Sequence, residues 1–380
     1  MSSKASILLA WFFVIFLLVM GLVMVSSTAM WAEETLDPYE PLYKQTSFAL
    51  VGLLGALALS RINYHIWRQY IWLILGVACV LLILCYVPGI GKEINGERRW
   101  ISIGIQFQPS ECAKLCMVMA LAHWMALYRD KAKTFIQGAV IPGLIFGIPL
   151  ALIFFEKDMG TAVALSLAGF CVMFVGGTRI IYLVSALILS AGLLYVMVSG
   201  SENRMNRFRA WKDPAAHAQG QGLQQHRANI ALTRGGIHGL GLGNSAEKHR
   251  KLPFAHTDFI YAPLGEEFGL FGTLSVLFSY GGFAFCGIVI ALHCKDHFGR
   301  YMSVGITSIV FCPALLNIAV VTSAVPNTGL PLPFISYGGT NLVFTLAALG
   351  MLTSIQRYST SSQPDYKLVR KYPNSIDTKL

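Results

Sequence analysis

Charge is what this sequence has least of. Asp, Glu, Lys and Arg make up 13% of its 380 residues, against about a quarter in soluble domains. With 55% hydrophobic residues and a mean hydropathy of +0.58, that scarcity excludes an ordinary water-soluble globule. A chain of this size has nowhere but lipid to hide so much apolar surface. Common catalytic signatures are absent as well. There is no HExxH helix, no Walker loop and no GxSxG elbow, and the nine histidines fall at no metal-ligand spacing. The eight cysteines include no CxxC pair, and none lies in the long polar loop where an extracytoplasmic disulfide would serve. They read as small hydrophobic packing residues. A net charge of +10 raises nucleic acid as a partner, but the basic residues flank apolar runs in loops and a tail, which excludes it.

Long apolar runs are what the chain has in abundance. A helix crossing about 30 Å of hydrocarbon needs roughly 20 apolar residues. Ten segments come near or exceed that: 5–29, 42–60, 70–87, 110–128, 135–155, 160–177, 180–198, 268–292, 302–325 and 334–355. The first is too long for the apolar core of a signal peptide and reads as a retained membrane helix. The second carries Lys44 near one end. Prolines inside runs, such as Pro142 and Pro149, are tolerated where neighbouring helices satisfy the freed backbone. The fold class expected is an all-α polytopic membrane protein of about ten transmembrane helices. With no internal repeat or linker, residues 1–356 form one membrane domain, followed by a polar tail, 357–380.

Lysines and arginines in the connections set the orientation. Lys4, Arg61, Arg68, Arg129, Lys131, Lys133, Arg179, Lys295, Arg300 and five tail residues share one side. The short connections opposite hold Lys44, Lys92, Arg98, Arg99 and Lys157, with an acidic stretch at Glu33, Glu34, Asp37 and Glu40. Both termini are therefore expected in the cytoplasm, with the chain crossing the membrane many times. One connection breaks the rule: residues 200–259, between spans seven and eight on the outer face, carry nine basic residues, among them Arg204 and Arg207. Long loops are partly exempt from the charge rule; a cationic surface for an anionic substrate is the functional reading.

Polar groups at membrane depth usually mark function. Glu111 and Lys114 stand three residues apart, on one helix face, either as an ion pair that positions helices or as a polar floor beneath a substrate cavity. Arg98 and Arg99 adjoin Trp100. Two guanidinium groups there could grip a diphosphate, or the stretch could simply anchor at the interface. Asp158 reads as the cap of the sixth span. Asp258, in His256-Thr257-Asp258-Phe259, sits where the cationic loop re-enters the membrane. It suits a general base for a hydroxyl nucleophile or a helix cap. At least one of Glu266 and Glu267 should face protein. Pro326–Gly339, with three prolines and no charge, reads as a re-entrant cavity wall that includes Ser336 and Tyr337.

Three of these stretches, in order, resemble the signatures of the SEDS family (shape, elongation, division and sporulation). They are NGERRWISIGIQFQPSECAK (95–114), GLGLGN with HTDFIYAPLGEEFG (239–244 and 256–269), and PNTGLPLPFISYGG (326–339). The likeness spans essentially the whole chain, and within the family it sits closer to the division (FtsW) branch than to the elongation (RodA) branch. It implies a glycosyltransferase that polymerises lipid II, an undecaprenyl-diphosphate disaccharide-pentapeptide, into glycan strands at the division septum. The partners implied are a cognate class B penicillin-binding protein and other divisome membrane proteins. The family's essential aspartate falls on Asp258, which would take the proton of the acceptor hydroxyl. Arg98, Arg99, Arg204 and Arg207 would face the diphosphate, and Glu111, Lys114, His256, Thr257, Ser336 and Tyr337 would contact substrate. The likeness leaves room for a divalent cation, Mg or Mn, without a dedicated cage in the sequence. The chain departs from the family pattern at Leu223, at Arg227-Ala228, at Pro313 and at Thr340-Asn341. A lipid II flippase and a non-catalytic scaffold are the rival readings; the polar residues concentrate at the outer face, which favours polymerisation.

Overall fold

In lipid, a chain must satisfy its backbone polar groups internally, and apolar runs of this length do so as helices. The computed structural model describes residues 2–29, 37, 39–94, 97–103, 105–156, 158–218, 220, 222–248, 252–253 and 255–359. Glu33, Glu34, Asn95, Gly96, Lys157, His249, Arg250, Lys251 and the tail from 360 onward lie outside them. The ten expected spans correspond to ten helices: α1 (Ser3–Ala29), α2 (Glu40–Arg61), α3 (Trp67–Leu84), α4 (Pro109–Leu127), α5 (Ile141–Phe155), α6 (Met159–Val175) and α7 (Ile180–Ser199), then α10 (Tyr261–His293), α11 (His297–Val321) and α12 (Gly339–Ser359). Two shorter helices, α8 (Glu202–Lys212) and α9 (Leu223–Gly235), lie in the long connection. By length and composition alone, α1, α2, α3, α5, α7, α10 and α11 qualify as membrane-crossing.

Two boundaries differ instructively from the sequence expectation. The eighth span begins at Tyr261 and takes in Glu266 and Glu267, with a non-helical residue at Gly269 (φ 65°, ψ −159°). The glutamates lower the local hydropathy, so the apolar signal starts only after them. The tenth helix starts at Gly339 because Pro331 and Pro333 cannot supply helical backbone donors. The connection before α4, expected as a plain loop, is a three-stranded antiparallel sheet of β1 (Gly91–Ile94), β2 (Glu97–Ile103) and β3 (Ile105–Phe107). Lys92 pairs with Trp100 and Ile101 with Phe107.

The core of the bundle is α4, α6, α10, α11 and α12. α11 packs against α4, α6 and α10, α1 against α10, and α2 against α12. α4 is buried along almost its whole length, while α7 has no buried residue. All eight cysteines are free thiols.

Candidate active site

Asp258 sits in a run of turns just before α10, two residues ahead of the helix's N-cap, Ile260. Phe259 and Ile260 are buried and anchor this stretch, while Asp258 is half-buried. The backbone is held from α11: the side-chain amide of Asn317, 1% exposed, donates to the carbonyls of Asp258 and Leu330, both at 2.6 Å. An amide nitrogen has two protons to give, so one side chain staples the aspartate to the proline-rich segment 326–338. That segment is stitched on twice more. Ser336 Oγ donates to Thr257 O at 2.6 Å, and Tyr337 N donates to His256 O at 2.9 Å, the two rings meeting at 5.8 Å. A Cβ on Gly329 would lie 3.6 Å from Asp258 Oδ2.

The segment itself is irregular and deeply enclosed, with Leu330, Leu332, Phe334 and Ile335 buried. Phe334 holds φ at 69°, a conformation that costs about 1–3 kcal/mol and persists only where its surroundings dictate it. They do so here through side chains that replace missing backbone partners. Gln45 Nε2 donates to Ser336 O at 3.1 Å, and its Oε1 accepts from Gly338 N at 3.2 Å. Gln225 Nε2 donates to Val320 O and Val325 O at 3.2 and 2.9 Å. Asn327 Nδ2 donates to Gln224 Oε1 at 2.6 Å, and the Tyr280 hydroxyl donates to Pro333 O. Helices α8 and α9 of the long connection thereby lie against the segment, Trp211 Nε1 adding a bond to Ser323 O at 2.9 Å.

The charged residues of the other motifs reach the same neighbourhood by different routes. Lys114 Nζ lies 2.8 Å from Glu111 Oε2, both buried, and Asn341 Nδ2, at the start of α12, donates to that oxygen at 3.0 Å. Asp158 caps α6 as expected: Oδ1 accepts from Thr161 N at 3.0 Å and Oδ2 from Thr161 Oγ1 at 2.9 Å. The start of α6 rests directly on the proline segment, for a Cβ on Gly160 would come 2.4 Å from Thr328 O. Arg98 and Arg99 do not act as one fork. A strand turns successive side chains to opposite faces, so half-exposed Arg98 pairs with Glu93 at 3.1 Å, while Arg99 turns inward, 3.7 Å from Asp158 Oδ2. Arg204 folds back onto α5 and α7, its guanidinium 5.8 Å from the Phe154 ring and donating to Met197 O. Arg207 is exposed on α8.

Sequence reading passed over several residues that the geometry makes important. Asn317, Gln45 and Gln225 are uncharged, so charge at membrane depth does not single them out. A lone amide inside an apolar run was the available signal. Glu156 stands two residues before Asp158 in the same turn. It is 1% exposed, and neither carboxylate oxygen has a hydrogen-bond partner among the described residues. Burial first, then the Asp158 carboxylate, push its pKa up to about 8, against the opposing pull of the neighbouring Cys85 thiol and Arg99. Both Glu266 and Glu267 face protein and are fully buried. Among the described residues no group of three or more His, Cys, Asp or Glu side chains could hold a metal ion. A divalent cation therefore has no cage among the described side chains. A cavity of about 290 Å³ lies between α3 and α5, lined by apolar residues including Trp72, Leu75 and Ile145, none of them part of this cluster.

Comparison with known proteins converges on one group. Residues 7–361 match the family model described as cell cycle protein, covering FtsW, RodA and SpoVE. The chain is 35% identical over 338 residues to the probable peptidoglycan glycosyltransferase FtsW of Trichlorobacter lovleyi, covering 88% of this chain and 89% of that one. It is 35% identical to stage V sporulation protein E of Bacillus subtilis over 349 residues, 90% and 94% of the two chains. It superposes on a chain of a peptidoglycan synthase complex, solved to address the coordination of polymerization and crosslinking, with a TM-score of 0.78 at 27% identity over 93% and 98% of the two chains. It superposes on the rod shape determining protein RodA of Thermus thermophilus with a TM-score of 0.70 at 26% identity, over 93% and 97%. Ten helices, an aspartate stapled to a proline-rich segment, and sequence likeness over nine-tenths of the length lead to one conclusion: this multi-pass membrane chain belongs to the FtsW/RodA/SpoVE family of cell cycle proteins, the SEDS family.

Proposed function

We propose that this chain is a peptidoglycan glycosyltransferase that polymerises lipid II into glycan strands during bacterial cell division, with Asp258 as its general base. The observation that carries the reading is the hold that α11 and the proline-rich segment have on the backbone at Asp258. Ser336 and Asn317 bind the carbonyls on either side of that residue, of Thr257 and of Asp258 itself, while the carboxylate lies at the Gly329 turn. A base must be held still relative to the hydroxyl it serves. In the reaction, Asp258 takes the proton of the acceptor sugar's 4-hydroxyl as that oxygen bonds to the donor's anomeric carbon, and the bond to undecaprenyl diphosphate breaks. The leaving group departs as an anion and needs cations rather than a proton. Arg99, turned inward beside Asp158, and Arg204, folded onto the end of α5, are the candidates nearest that face. Arg98 and Arg207 contribute a diffuse positive field from their exposed positions. Glu111 and Lys114 form the polar floor, and His256, Thr257, Ser336 and Tyr337 line the approach.

In this reading the loop-bearing end faces outward at the septum and both termini are cytoplasmic, supported by the distribution of lysine and arginine. The crosslinking partner is a cognate class B penicillin-binding protein, among other divisome membrane proteins. The likeness to a chain of a complex that joins polymerization to crosslinking supports this. The test is polymerisation of labelled lipid II in liposomes by the purified chain, with and without that partner, beside Asp258→Asn. Loss of a catalytic base costs about 10²–10⁴-fold, so long glycan should vanish in the variant while membrane insertion is unchanged. Full polymerisation by Asp258→Asn removes the assigned base. Movement of lipid II across the bilayer without any polymer gives the transporter reading instead.

A further inference from the structure

We propose that Lys248, Glu267 and Ser27 form a buried pin that sets the position of Asp258, making all three positioning residues for polymerisation; the inference rests on Asp258 being the base. Lys248 comes from the long connection, Glu267 from the front of α10 and Ser27 from the end of α1. Lys248 Nζ lies 2.6 Å from Glu267 Oε1 and 2.7 Å from Ser27 Oγ, and Ser27 Oγ donates to the same Glu267 oxygen at 2.7 Å. Both charged side chains are 0% exposed. A lysine and a glutamate taken wholly out of water are costly to hold there, and adjacent apolar helices could bury α10 without them.

The geometry supplies the reason for the pin. α10 is not one rod, because Gly269 breaks it with backbone angles closed to other residues. The front piece, Tyr261 to Phe268, is a lever about 12 Å long at 1.5 Å per residue, cut off from the stiffness of the long helix behind. Asn317 holds the lever at its Asp258 end. At the other end the carbonyls of Glu266 and Glu267, left without helical partners, accept from Leu240 N and Gly241 N at 3.0 Å each. Glu266 also gathers Ser245 Oγ and the amides of Ala246 and Glu247. The long connection thus splints the break, and Lys248 fastens the splint to α1. α1 also bears the opposite wall of the site: a Cβ on Gly21 would stand 2.6 Å from Phe334 O in the proline segment. The pin therefore refers Asp258 and the wall it faces to one common helix, six residues apart along α1.

The test uses the full-length chain with its partner and labelled lipid II. Lys248→Met with Glu267→Met removes both charges at similar volume, a replacement that buried pairs often tolerate. Turnover is expected to fall about ten- to a hundredfold, as a misplacement near 1 Å does, with the KM for lipid II nearly unchanged. Lys248→Arg, which keeps the charge, should restore most of the rate. Unchanged turnover in the double variant overturns the pin. If the double variant does not fold, Ser27→Ala decides: a severalfold loss of turnover that Ser27→Thr reverses upholds the proposal, and no loss overturns it. Asp258→Asn run alongside separates the two claims. An active Asp258→Asn sinks the base assignment, whereas an inactive one beside a fully active pin variant sinks the pin alone.

Discussion

Helix α7 and the trio α4, α6 and α12 answer to one sequence criterion, yet they stand at opposite extremes of burial. α7 is long and uncharged, among the plainest membrane-crossing segments, and none of its residues is buried. The other three are the ones that length and composition do not qualify on their own, and they surround the candidate site. α4 contributes Glu111 and Lys114, α12 brings Asn341 to them, and the start of α6 sits against the proline segment. In lipid the outside of a bundle is as apolar as its interior, so apolarity says only that a helix crosses. Polar residues are what fix which face turns inward. In this fold two plain spans, α10 and α11, hold Asp258, and the weaker signals of α4, α6 and α12 belong to helices that bring further polar groups inward.

The largest effect expected from that contrast is at α4. Lys114→Ala removes the Glu111 carboxylate's buried counter-charge and leaves it against the Asn341 amide. Removing one member of a buried pair costs about 3–5 kcal/mol. The melting temperature in detergent should fall by several degrees, and adding Glu111→Leu should recover most of the loss. A Lys114→Ala chain that melts like the parent would mean that α4 is held by its apolar contacts alone, and the contrast with α7 would lose its basis.

How far the sequence revealed this arrangement follows the same physics. The helices were legible because an apolar run in lipid has one way to satisfy its backbone. Asp158 was legible as a cap and Glu111 with Lys114 as a pair, since both depend on spacing within one helix. What the sequence hid was contact across long separations. Asn317 is 59 residues from Asp258 and Gln45 is 291 from Ser336, and neither carries a charge to draw notice. Lys248 looked like one more cation in a basic loop, although it is buried against α1 and α10. Arg98 and Arg99, adjacent in sequence, part in the structure because strand alternation turns one toward Glu93 and the other toward Asp158.

A smaller effect, with a pH signature, is expected at Glu156 in the turn between α5 and α6. Its pKa is raised from 4.5 to about 8, mainly by burial. Between those two values the folded chain holds more protons than the unfolded one, so this residue's contribution to stability falls as pH rises through that window and is flat above it. Glu156→Gln keeps the neutral shape at every pH. The melting advantage of the variant should therefore be small at pH 5 and grow toward pH 8, at no more than about 1.4 kcal/mol per pH unit. A constant difference across that range would show that Glu156 does not titrate there, and that the turn beside Arg99 is less enclosed than the rest of the site.

The smallest effect is expected on α7, and it is the sharpest check on the comparison. Ile188 and Leu189 are 67% and 66% exposed on a helix with no buried residue. Shortening them to alanine removes side chains that exchange one apolar neighbour, a lipid tail, for another, so little transfer free energy is lost. The change in stability should stay within about 0.5 kcal/mol, with lipid II polymerised at the parental rate. Met117→Ala on α4, 0% exposed, opens a cavity that no lipid can fill and should cost about 2–5 kcal/mol. Should the α7 variants keep their melting temperature but lose polymerisation, exposure on α7 would have to be read as a surface reserved for substrate or partner. Polarity would then no longer be a sufficient guide to which helices serve the site.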